Sequence, residues 1–138
     1  MMNTALRTVA AIVAGLIVAF ILIVALELFS GVVHPLPEDF GGTMEEMCQH
    51  VARYPAWVLA IAVLCWGLTA LVGTWIAQKI GNVYSAVIVG LTLLAALVLN
   101  ISMLPYPIWF KIANLLVIPT AIVLGGRLSI RLKTPGGK

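Results

Sequence analysis

Four long stretches of this chain, residues 8–33, 56–77, 83–104 and 109–130, carry almost no charge. At about 1.5 Å of rise per helical residue, each is long enough to cross a hydrocarbon core of about 30 Å. They are apolar on every helical face, whereas a helix of a water-soluble domain keeps a polar side. Lipid is the solvent that such surfaces require. Only 9% of the 138 residues are charged and 62% are hydrophobic, so a water-facing globule of this length would lack polar cover.

The first stretch is read as a span rather than a signal peptide. It holds about 20 apolar residues against roughly 7 to 15 for a signal, and it ends at Glu27, Ser30 and Gly31 instead of a small-x-small cleavage site. The short segments 78–82 and 105–108 are tight turns that make neighbouring helices antiparallel, while 35–55 is a true extramembrane loop. The expected fold is therefore all-α: a single transmembrane domain over 1–138, built as an antiparallel four-transmembrane-helix bundle.

Lysine and arginine near span ends are retained on the cytoplasmic side. Arg7, Lys79, Arg127, Arg131, Lys133 and Lys138 share one side, and only Arg53 and Lys111 lie on the other, together with Glu38, Asp39, Glu45 and Glu46. Both termini are expected in the cytoplasm, with loop 35–55 outside. In that loop Thr43 precedes Glu46 by three residues, the spacing of a reciprocal cap, which predicts a short helix beginning there. Met44, Met47, Cys48 and Val51 recur at helical spacing against Glu45, Glu46, Gln49, His50 and Arg53, so this helix should lie on the outer membrane surface or over the mouth of the bundle. Cys48 and Cys65 fall too far apart along this topology to pair and are read as free thiols.

Two further patterns bear on packing. Pro-x-Pro-x-x-Phe occurs at Pro35–Phe40 and again at Pro105–Phe110, and a second, differently offset alignment pairs Pro55 through Lys79 with Pro107 through Arg131. Together they raise a parallel duplication of a helical hairpin as a possibility. Small residues repeat every fourth position at Ala11, Gly15 and Ala19, at Gly73, Ala77 and Gly81, and at Ala121, Gly125 and Ser129. Such ridges allow close backbone approach, either within the bundle or at a homodimer face.

Glu27 is the only acidic residue inside a span, and an ionised carboxylate there needs a partner, water or a proton. Ser30 and His34 continue its stripe toward the outer surface. Asn100, Lys111 and Asn114 fall at similar depth on the third and fourth spans. These six residues, Glu27, Ser30, His34, Asn100, Lys111 and Asn114, form the candidate ligand or proton site. The acidic and histidine residues of the outer loop match no metal-ligand spacing, so no metal and no cofactor are expected. Cys48 with His50 lacks an orienting third group for thiol catalysis. Basic residues at span edges suit lipid headgroups rather than nucleic acid.

The run from Glu27 through His34-Pro35-Leu36-Pro37, with Met103-Leu-Pro-Tyr-Pro-Ile-Trp-Phe110, resembles small four-span proteins of the bacterial inner membrane. The resemblance covers nearly the whole chain and implies that location; no function attaches to the group, so it implies no site. From the residues, the leading expectation is a non-enzymatic module that binds a lipid, small ligand or partner protein in an outer-leaflet polar pocket. The alternative is a small proton- or ion-coupled transporter or channel acting as an oligomer. Membrane lipids are expected partners, and a homo-oligomer or larger membrane complex is plausible for so small a bundle.

Overall fold

The computed structural model describes residues 3–131, so Lys133 and Lys138 of the charge bias lie outside the described residues. Among these residues the chain is five helices with no strand: α1 (Thr4–Val33), α2 (Met44–Ala52), α3 (Ala56–Ile80), α4 (Val83–Met103) and α5 (Ile108–Arg131). Four of them, α1, α3, α4 and α5, are long and apolar enough to cross a membrane. The protein is a multi-pass membrane bundle of alternating direction, with α2 at one end and both described termini at the other.

Each long helix overruns its apolar stretch where polar residues suit a helix beyond the hydrocarbon. Asn3 accepts the Ala5 N–H and starts α1 a turn before residue 8, and α3 continues through Gln78 and Lys79. The short α2 begins as its spacing predicts. Thr43 Oγ1 accepts the Glu46 N–H at 3.2 Å, and Glu46 Oε2 accepts the Thr43 N–H at 3.0 Å. The Thr43 backbone and hydroxyl, and further back the Gly41 N–H, hold the Glu46 carboxyl below the usual range. Gly42 precedes the cap with φ of 82°, a conformation that side-chain-bearing residues rarely adopt.

α3 is the central helix. It packs most extensively against α5, next against α1, and then against α4, while the α1 and α5 backbones do not approach each other closely. The small-residue ridges explain this order. A Cβ placed on Gly15 of α1 would stand 2.8 Å from the Gly73 carbonyl oxygen and 3.1 Å from the Ala77 Cβ, both on α3. One placed on Gly125 of α5 would collide with Thr74 Oγ1 and the Leu71 carbonyl. The three ridges therefore meet inside one chain, at the end of the bundle that bears the termini. Hydrogen bonds close the same end: Asn82 Nδ2 donates to Thr8 Oγ1 at 2.9 Å, and Arg7 Nε donates to the Ile80 carbonyl at 2.6 Å.

The possible hairpin duplication finds no support in this packing. Equivalent hairpins would pack alike, yet α1 and α3 are tightly joined while α4 and α5 form the weakest pair, and α3 approaches α4 closely where α5 does not approach α1.

Close approach at the ridges yields a direct test. Gly15→Leu and Gly125→Leu should each destabilise the bundle in detergent by about 1–3 kcal/mol or prevent folding, as overpacking does. Gly31→Leu, on α1 with nothing within 4 Å of its added Cβ, should leave stability unchanged. Denaturant titration followed by helical circular dichroism reads the difference.

Candidate functional site

At the α2 end the long helices separate, and a cavity of about 350 Å³ opens between α1, α3, α4 and the start of α5. Its volume falls within the range of about 300–1,000 Å³ of small-molecule sites. Met44, Met47, His50 and Val51 of α2 roof it, because the cap at Thr43 turns the apolar side of this short helix inward. Leu26, Glu27 and Ser30 of α1 form one wall, and Asn100, Met103 and Leu104 of α4 another.

Three rings supply the back wall. Tyr106 and Phe110 stand 4.6 Å apart by centroid, and Trp66 meets Phe110 edge-on at 5.5 Å. Phe110 is fully buried and locks this set in place. A second cavity of about 210 Å³ lies beside it toward the middle of the bundle, lined by Ile23, Thr69, Leu93, Ala96, Leu97 and Ile118. Glu27, Trp66 and Asn100 border both cavities. Glu27 and Ala96, on the rims contributed by α1 and α4, are exposed, so the cleft opens sideways between these two parallel helices.

Of the six candidate residues, Glu27, Ser30 and Asn100 line the larger cavity. His34 stands just above it. Its ring stacks on His50 at 4.3 Å, and its Nε2 donates to the His50 carbonyl at 3.2 Å, which fixes the proton on that nitrogen because a carbonyl only accepts. Tyr54 packs against both imidazoles at 4.6 and 5.4 Å. On the far side of the stack is a polar hollow of about 410 Å³ that includes Asp39, Glu46, Gln49 and Arg53. His50 borders both spaces, so the stack is the partition between them.

Lys111 and Asn114 do not join the cluster. Lys111 borders neither cavity and belongs to α5, which does not pack against α1, so it is not the counter-charge of Glu27. Asn114 is fully buried, and its Nδ2 donates to the Phe110 carbonyl of its own helix at 3.0 Å, while its Oδ1 has no partner among the described residues. Equal depth brought these residues into the expectation; rotation about the helix axis takes them out of the site.

His50 is a second correction. Its place in the α2 sequence assigns it to the polar side, yet it is 7% exposed and packed beneath His34. The residues that sequence reasoning overlooked as site components are His50, Tyr54, Trp66, Tyr106 and Phe110. Trp66 offered a signal, an indole N–H well inside a span; Tyr54 and Tyr106 lie at span ends, where tyrosine is common as an interfacial anchor. Burial and then the Glu27 charge push the Tyr54 hydroxyl upward, opposed by Ser30 within hydrogen-bonding reach, and burial, Glu27 and Tyr54 push Tyr106 upward. Both phenols therefore remain protonated donors at neutral pH.

Two outcomes follow from these placements. Replacing Asn114 removes an unpartnered buried acceptor, whose cost is about 1–3 kcal/mol, so Asn114→Leu should leave thermal stability in detergent unchanged or raised. Burial first, then His34 and Arg53, hold the His50 pKa below 6.5. The unfolded chain therefore binds this proton more readily, so the stability His50 contributes is complete above 6.5 and is lost as pH falls through that value toward the folded pKa. Hydrogen-exchange protection factors of the α2 amides should drop over this window, and His50→Phe should flatten the profile.

No family model, curated protein or solved structure matches this chain, and the geometry of its own residues carries the functional argument.

Proposed function

We propose that this protein is a non-enzymatic binding module of a bacterial inner membrane, and that its ligand is an amphiphile that enters sideways from the outer leaflet between α1 and α4. The observation that carries this reading is the laterally open cleft at Glu27, where a cavity with polar groups on its walls adjoins a more apolar one and Glu27, Trp66 and Asn100 border both. A membrane lipid or a lipid-like small molecule has that division of polarity. Arg7, Lys79, Arg127 and Arg131 gather at the terminal end, which supports a cytoplasmic location for the termini and an outer location for α2.

A transporter reading would require a second route, from the cleft to the terminal end. The Gly15, Gly73, Ala77 and Gly125 contacts argue for a closed floor there, and the pocket is therefore read as one-sided.

The test uses Trp66 as the only tryptophan, with Trp57, Trp75 and Trp109 replaced by Phe. In vesicles, an added brominated twelve-carbon amphiphile should quench Trp66, and Ala96→Phe, which fills the lower cavity, should reduce that quenching severalfold. Quenching insensitive to Ala96→Phe would overturn the pocket, and pH-driven solute flux abolished by Glu27→Gln would replace binding by transport.

A further inference from the structure

The walls of the larger cavity differ in what they leave unsatisfied. On the α1 side the Glu27 carboxylate is engaged by no hydrogen bond or ion pair among the described residues. On the α4 side Asn100 Oδ1 has no hydrogen-bond partner among them. Both residues border both cavities. Neither acceptor is engaged by a hydrogen bond within the described residues, although the Tyr54 and Tyr106 hydroxyls stand on the same walls, and a carboxylate left uncompensated in such a setting is costly.

Resting on the binding reading above, the chemistry of the head group follows from these two acceptors and the rings behind them. An anionic head would meet the Glu27 carboxylate in repulsion. A neutral head would leave the charge uncompensated. A quaternary ammonium would be attracted by Glu27 and by the faces of Trp66, Tyr106 and Phe110, yet it has no N–H to give to either acceptor. A primary or secondary ammonium suits both acceptors and the rings together: it donates to Glu27 and to Asn100 and presents its charge to the rings.

We infer that this site selects amphiphiles headed by a primary or secondary ammonium, with the ammonium between Glu27 and Asn100 and the apolar tail in the lower cavity between Ile23, Leu93, Ala96 and Leu97. Two sources supply this head group in a membrane: the ethanolamine of a phospholipid and a free long-chain amine.

The experiment compares head groups on one tail in the Trp66-only protein, reconstituted in phosphatidylcholine vesicles. Brominated dodecylammonium should quench at concentrations about tenfold or more below those needed for the trimethylammonium and alcohol analogues, as charge-assisted hydrogen bonds require. Glu27→Gln, close in shape to glutamate, should erase the difference between the amine and the alcohol while leaving tail-dependent quenching. Equal quenching by all three heads, or an amine preference that persists in both Glu27→Gln and Asn100→Leu, would overturn the inference and leave the pocket standing. No quenching by any head would instead remove the pocket itself. Repeating the titration in vesicles containing phosphatidylethanolamine separates the sources: a severalfold weaker amine response identifies the lipid head group as the competing occupant, and an unchanged one identifies the free amine.

Discussion

The close approach of α3 to both α1 and α5 is the contact on which the rest of this bundle depends. Lipid provides little hydrophobic drive for helices to associate, so van der Waals contact between backbones must hold them. Gly15 against Gly73 and Ala77, and Gly125 against Leu71 and Thr74, bring backbones nearer than any larger side chain would permit. Small residues of this kind are concentrated at the terminal end. Toward α2 larger side chains, Leu26, Leu59, Trp66, Leu97 and Phe110, fill the space between the helices.

One fold thus contains two packing regimes, and the cavities lie where the second begins. The α1 and α4 helices touch near Thr8, Asn82, Gly15 and Val89, then part around Glu27 and Asn100. A carboxylate on a lipid-facing ridge would be hard to reconcile with a stable span. Beside a cleft with two phenols and an amide on its walls, Glu27 has polar company and access to a ligand or water. The short α2 completes the space from above, since its cap orients Met44, Met47 and Val51 into the opening and sets His50 under His34.

The candidate site divides along a physical line. Glu27, Ser30 and Asn100 were legible because a polar residue in an apolar span stands out and because helix rise gives its depth. Lys111 and Asn114 satisfied the same criterion and do not belong, since depth is only one of the coordinates that place a side chain. The other is azimuth, set by which helices are neighbours, and α5 lies on the far side of α3 from α1. Tyr54, Trp66, Tyr106 and Phe110 escaped notice for the converse reason: aromatic residues are common in spans and at interfaces, and nothing in their spacing marks a shared wall.

Hydropathy, turn length and the Thr43–Glu46 spacing determined the number of spans, their alternation and the capped α2 helix, because these follow from local demands: backbone satisfaction in lipid, antiparallel return through a tight turn, and orphan N–H groups at a helix start. The small-residue ridges could also be read in sequence, though not which ridge meets which. Tertiary structure decided the central place of α3, the separation of α1 from α5, the inward turn of His50 and the opening beside Glu27. These depend on how side-chain volumes add up between helices far apart in the chain, a sum that exists only when all the helices are packed together.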